Sequence, residues 1–324
     1  MTTAGRSGGH ARRKAAPTRA LLTGVAAARV LATGGDGVAV AWFPKATYVR
    51  MPGGLMALTA PTALPGPLHV VLDTPLAARP GAGVVRSGTG LLVGDAFVEL
   101  QGARPWVGLL PGPVEMRRSA ALVVEAASWA AARSALLAHP YREPARRALE
   151  LLRAGDVVGT VGLLCGLGPG LTPAGDDAVA GMMLAMRALG GAGSQARLQS
   201  ALRAARTTAL SLAFLECAAA GQSIAPVHQL LKAAARQDRV AAVAAAGALA
   251  EVGASSGADL CFGLLAALSA ATDPQTVQVL SWNAPARQAA SAESRTSSGL
   301  KAFTPSIRSS SRNPYSAPMA KRQA

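Results

Sequence analysis

Aromatic residues make up 4% of this 324-residue chain, which contains four histidines and three cysteines. Each scarcity removes a class of function. Few aromatics leave little material for the stacking platforms of single-stranded nucleic-acid binders. Cys165, Cys217 and Cys261 are odd in number and far apart, which argues against a disulfide framework or a zinc site and favours a reducing compartment. His10, His69, His139 and His228 form no cluster in sequence, so no metal site is assigned. Long apolar runs are also missing. Leu260–Thr272 spans 13 residues, short of the roughly 20 that cross a bilayer. Arg29 interrupts the apolar stretch after the basic start and no cleavage site follows, so export is not expected and a cytoplasmic location is.

Acidic residues are few as well, 17 against 32 Lys and Arg, giving a formal charge of +15. The excess sits at the ends. Residues 1–20 contribute +5, residues 283–324 contribute +6, and only +4 belongs to the middle. A basic nucleic-acid-binding face would lie on the folded surface. Here the charge lies in segments poor in apolar residues, so neither nucleic-acid nor membrane partners are expected. Residues 1–19 and 283–324 are expected to be disordered, and their removal to leave stability intact.

Between these ends lie two textures. Residues 20–114 read as β-rich, in short runs such as Gly37–Phe43, Ala46–Met51, Leu68–Asp73, Gly83–Arg86, Gly90–Val93 and Ala96–Leu100. Pro, Gly and Asp punctuate them at the spacing of an antiparallel sheet or barrel. Residues 115–282 read as helical, with helices expected over Ser119–Leu137, Glu143–Ala154, Pro173–Leu189, Ser194–Ala220, Ala225–Arg236, Asp238–Val252 and Ala258–Ala271. Strands followed by helices predict an α+β fold. No repeat extends along the chain, although one helix start resembles another.

The first of these starts is Gly166-Leu-Gly-Pro-Gly-Leu-Thr-Pro-Ala-Gly-Asp-Asp177. Gly166, Gly168 and Gly170 allow a tight loop that a ligand can approach. Thr172 as hydroxyl cap and Pro173 at the first helical position predict a helix whose free amides form an anion site, with Gly175 in its first turn. Asp176 and Asp177 either complement the helix dipole or face the ligand as its catalytic carboxylates. Two carboxylates suit a ligand that brings a cation or an amide NH2. The loop lacks the Lys of a Walker motif and the strand of a dinucleotide fingerprint. Mg2+ therefore enters only as a weaker phosphoryl-transfer alternative, and no cofactor is assigned. The second start, Gly253-Ala-Ser-Ser-Gly-Ala-Asp-Leu260, holds a capping box at Ser256 and Asp259. Ser255 also satisfies a hydrolase elbow pattern, but no strand precedes it and no histidine follows it, so a triad is excluded. Ser255, Ser256 and Asp259 remain candidates for a second wall of the site. Thr207 and Ser211 align with Phe214 and Ala218 on one helix stripe. They either bond to neighbouring backbone or join the same wall.

These three motifs, in their order along the chain (the glycine loop, then Thr207-x3-Ser211-x2-Phe214-Leu-x2-Ala-Ala-x-Gly221, then Gly253–Leu260), resemble the AllH-like family, whose members are described as oxamate carbamoyltransferase subunits; the likeness spans about residues 30–272. The resemblance implies a role in allantoin and purine catabolism, where oxalurate and phosphate exchange for oxamate and carbamoyl phosphate. It also implies partner subunits. The expected function is thus a carbamoyltransferase subunit that binds carbamoyl phosphate, phosphate or a small carboxylate at the glycine loop. The alternative is a non-catalytic metabolite-binding or scaffolding subunit.

Overall fold

A computed structural model describes residues 18–190 and 194–272. The expectations for the tails fall outside these residues, except that the first strand starts at Thr18, inside the segment assigned to the basic N-terminus.

Among the described residues, nine strands and one helix form the first half: β1 (Thr18–Gly24), α1 (Val25–Thr33), β2 (Gly37–Phe43), β3 (Ala46–Met51), β4 (Gly54–Thr59), β5 (His69–Leu72), β6 (Gly83–Ser87), β7 (Gly90–Val93), β8 (Ala96–Glu99) and β9 (Arg104–Trp106). Their order is β5-β4-β3-β2-β6-β7-β8-β1-β9, and β1 also pairs with β5. The first eight strands therefore close into a barrel, with β9 added along β1. Closure removes exposed strand edges. The pairing is mixed rather than purely antiparallel, because β4–β5, β1–β8 and β1–β9 are parallel. Val49, Met56, Leu58, Val70, Leu72, Val84, Leu91 and Val98 fill the interior.

Three strands and the helix escaped the period-two reading for physical reasons, β9 because it has only three residues. β4 is buried on both faces after its first residue, so its apolar residues do not alternate. β1 divides its residues among three neighbouring strands. α1 is a short amphipathic stretch of only nine residues.

Among the described residues, nine further α-helices form the second half: α2 (Pro113–Ala131), α3 (Arg142–Arg153), α4 (Val157–Leu164), α5 (Ala174–Gly190), α6 (Gln195–Ala201), α7 (Ala209–Ala219), α8 (Ala225–Ala235), α9 (Arg239–Ala250) and α10 (Ser256–Thr272). The expected helix over Ser119–Leu137 starts earlier, on Pro113, and stops at Ala131; residues 135–137 form a separate 3-10 turn. The expected continuous helix over Ser194–Ala220 is also corrected. It breaks between Ala204 and Ala209, where the Thr208 hydroxyl caps α7 by accepting from the Ser211 amide at 3.0 Å. Paired threonine hydroxyls compete with helix continuation in this way. α4, which the sequence reading passed over, is capped by Asp156 on the Gly159 amide.

At the centre α5 and α10 lie side by side in the same direction. A Cβ on Gly181 would stand 2.0 Å from the Leu260 carbonyl oxygen, and one on Gly263 would stand 1.7 Å from that of Ala178. The contact is reciprocal, since each glycine follows the contacted carbonyl of its own helix by three residues. Gly175-x-Asp177-x3-Gly181 and Gly257-x-Asp259-x3-Gly263 are thus two copies of one pattern. Gly175 and Gly257 also press against the carbonyls of Leu164 and Leu249, which belong to or end the preceding helices. The short repeat hidden in the sequence is a structural pair.

Two clamps fix the barrel to the helices. Gly108 donates its amide to Gln222 Oε1 at 3.0 Å and its carbonyl accepts from Gln222 Nε2 at 2.7 Å. The Ala225 amide donates to the Pro65 carbonyl at 2.8 Å. The second clamp holds the approach to β5, and with it His69, against the start of α8.

Candidate functional site

The glycine loop takes the conformation its residues require. Gly166, Gly168 and Gly170 have φ of +83°, +118° and +95°, a region costly for residues with a Cβ. The Gly175 amide donates to the Leu167 carbonyl at 2.8 Å, which folds the loop over the helix start. α5 begins at Ala174, and the Pro173 carbonyl accepts from the amides of Asp176 and Asp177. Proline therefore occupies the cap position itself, one residue later in the motif than the sequence reading placed the cap. Thr172 is left half-buried at the edge of a cavity. The loop is at the surface: Gly166, Pro169, Gly170 and Leu171 are exposed. Among the described residues, the amides of Gly168, Gly170, Leu171 and Thr172 have no hydrogen-bond partner.

The two adjacent aspartates have opposite surroundings. Asp176 is 1% exposed; its Oδ1 accepts from the Gly166 amide at 3.2 Å and its Oδ2 from the Thr207 hydroxyl at 2.6 Å. It braces the loop against the residues preceding α7. The Thr208 hydroxyl adds a second brace by donating to the Leu171 carbonyl at 2.6 Å. Asp177 makes no such bonds. Its Oδ2 is buried without a partner. Burial raises its carboxyl to about 8, with further upward pressure from Asp259 and Asp176, while the neighbouring Ser256 hydroxyl favours the ionised form. Opposing helix-terminus effects are worth at most about 2 kcal/mol, so desolvation prevails.

Asp177 lines a cavity of about 250 Å3 between the barrel and the helices. Thr172 and Asp177 come from the α5 start, Ser256 and Gly257 from the α10 start, and Phe214 from α7. Tyr48 and His69 close the barrel side. His69 Nδ1 donates to the Leu64 carbonyl at 2.8 Å, which leaves Nε2 as an acceptor. Burial holds the imidazole below its ordinary value, against the opposing Leu64 bond, so the ring stays neutral. Phe214 meets it edge to face at 6.4 Å.

The sequence candidates therefore divide. Thr172, Asp177 and Ser256 meet in the cavity. Gly166, Gly168, Gly170 and Gly175 shape the loop outside its lining, and Asp176 and Thr207 brace that loop. Ser211 is buried and bonded through its amide to Thr208. The capping box expected at Ser256 and Asp259 does not form. Asp259 is fully buried, and its Oδ1 instead accepts from the Ser134 hydroxyl at 2.7 Å and the Ala135 amide at 2.8 Å. Burial raises its carboxyl too, opposed by Ser134, Ser255 and the amides of Ala135 and Leu136. Ser255 sits beside it, outside the cavity lining. Tyr48 and Gln222 were not singled out by sequence reasoning, and His69 was left open between core and cleft. Their placement depends on barrel closure and on the clamps at Gly108 and Pro65. Among the described residues no three His, Cys, Asp or Glu side chains converge as metal ligands. Nor is any described helix long and apolar enough to cross a membrane.

A family model described as oxamate carbamoyltransferase subunit AllH matches residues 164–268. The matched segment runs from the last residue of α4 through most of α10, and so contains the glycine loop and both copies of the paired helix start. It is narrower than the resemblance over residues 30–272 and leaves out the barrel. No curated protein and no solved structure matches the chain.

Proposed function

We propose, from the AllH match over residues 164–268 and the cavity at its centre, that this chain is a subunit of a carbamoyltransferase acting on a small carboxylate such as oxamate or oxalurate. The observation that carries this reading is that Thr172, Asp177 and Ser256, drawn from two distant motifs, line one cavity of about 250 Å3. That volume falls below the roughly 300–1,000 Å3 of drug-sized sites, so it suits a metabolite of a few heavy atoms better than a nucleotide. The same argument weakens the Mg2+-dependent phosphoryl-transfer alternative.

In this reading the start of α5, with the unpaired amides of Gly170, Leu171 and Thr172, attracts the phosphate of carbamoyl phosphate. Asp177 stands at the cavity end of the same turn and accepts from an amide NH2, that of the carbamoyl group or of oxamate. Asp176, placed among catalytic candidates by sequence, contributes by holding Gly166 and Thr207 in position. Catalysis then consists of orientation and of fixed donors aimed at developing charge, with no covalent nucleophile. The partner subunits implied by the family description supply the rest of the assembly.

The test is carbamoyl transfer by the assembled complex carrying Asp177→Asn in this chain. Turnover should fall at least about a hundredfold with the complex intact. Undiminished turnover would remove Asp177 from the mechanism and leave this chain as a binding or scaffolding subunit.

A further inference from the structure

The paired helix starts supply a template for what the cavity binds. Asp177 and Asp259 are the third residues of the two Gly-x-Asp-x3-Gly patterns, on helices that touch reciprocally at Gly181 and Gly263. At Asp259 the chain fills the position itself: the Ala135 amide N–H reaches Oδ1 at 2.8 Å, and the Ser134 hydroxyl reaches the same oxygen at 2.7 Å. At Asp177 only the neighbouring Ser256 hydroxyl approaches. Oδ2 is buried and unpartnered in both aspartates, where an unmet acceptor costs about 1–3 kcal/mol, but only Asp177 lines the cavity, so only there can a ligand supply the partner. In its ionised form Asp177 therefore lacks a donor of the kind that a backbone amide provides at Asp259 Oδ1, and a donor bound there would favour that form.

The cavity holds a second unmet acceptor. His69 Nε2 is unprotonated, because Nδ1 carries the hydrogen given to Leu64, and no described residue donates to it. Phe214 meets the ring edge to face, and the bond from the Ala225 amide to the Pro65 carbonyl fixes the chain leading to it. Two such acceptors on residues that line one small cavity suit a group with two N–H bonds on a single nitrogen.

We infer that His69, on the barrel side and outside the family match, is a specificity-determining residue that shares with Asp177 the recognition of one carboxamide NH2. The inference rests on the function proposed above and adds the contribution of the barrel to it. One hydrogen goes to Asp177, as the Ala135 amide goes to Asp259, and the other goes to His69 Nε2. A carboxylate in the same place would set oxygen lone pairs against that nitrogen, and a methyl group would leave both acceptors unmet.

Oxamate and pyruvate test this, because they differ only in NH2 against CH3. Calorimetric titration of the full chain should give oxamate at least about tenfold tighter binding than pyruvate. His69→Phe should reduce that ratio to near one with an unchanged melting temperature, and His69→Gln, which keeps an acceptor, should recover part of it. Equal binding of the two probes by the native chain, binding of neither, or an undiminished ratio in His69→Phe would overturn the inference. Inorganic phosphate binding is measured in parallel to separate the two proposals. Its absence beside a His69-dependent oxamate preference would count against the anion site at α5 and leave the role of His69 standing.

Discussion

The starts of α5 and α10 are built on the same pattern and are used differently. Both place a glycine against a preceding carbonyl, an aspartate two residues on, and a second glycine at the crossing of the two helices. At α10 the turn after α2 closes over the aspartate, and Asp259 becomes part of the core. At α5 the glycine loop carries the chain away, so Asp177 is walled by the barrel instead and keeps an open space before it. One local design thus yields a structural carboxylate where the chain returns to it and a cavity-lining carboxylate where it does not.

The crossing itself offers the largest perturbation. Gly263→Ala would bring a Cβ within 1.7 Å of the Ala178 carbonyl oxygen, which only a relative shift of the two helices can relieve. A loss of about 4 kcal/mol in denaturant unfolding is expected. Gly247→Ala in α9, where nothing lies within 4 Å, should be neutral or stabilising by up to about 1 kcal/mol. Equal effects of the two substitutions would show that the helices do not meet at Gly263.

The paired aspartates come next. Asp259→Ala leaves the Ser134 hydroxyl and the Ala135 amide without their acceptor in a buried place and should cost about 3 kcal/mol. Asp177→Ala orphans no buried amide and should leave stability within about 0.5 kcal/mol at pH 4, by the same unfolding measurement. A reversed order would break the assignment of core and cavity.

The smallest effect is a dependence on pH. Asp177 is held up at about 8 by burial and by Asp259 and Asp176, so across mildly acidic pH the folded chain keeps a proton that the unfolded chain releases. Its cost to stability is absent below about pH 4, grows as pH rises, and is complete above about 8. Asp177→Asn removes that cost. Its melting temperature relative to the native chain should climb between pH 5 and 8 and then level off. A constant difference over that interval would mean that the carboxyl is not desolvated.

Much of the site was legible before any coordinates. Glycines at 166, 168 and 170 meant a loop with positive φ, and the Thr-Pro followed by two acids meant a helix start, because these preferences act within a few residues. The roles of the two acids were not legible. Neighbouring residues on a helix point about 100° apart, and what each meets depends on elements far away in the chain. Asp176 meets Thr207, which is exposed to it only because the expected long helix breaks before α7. His69 could not be assigned to core or cleft, since alternation along a strand gives two faces without saying what covers them.

Sequence by itself determined the order of the two textures, most strand and helix positions, and the chemistry of the glycine loop, all through short-range preferences of backbone and side chain. Tertiary structure decided that the strands close into a barrel, that α5 and α10 touch at paired glycines, and that one aspartate is covered while its counterpart is open. Those outcomes depend on contacts between residues distant along the chain, where packing and desolvation act and local propensity carries no information.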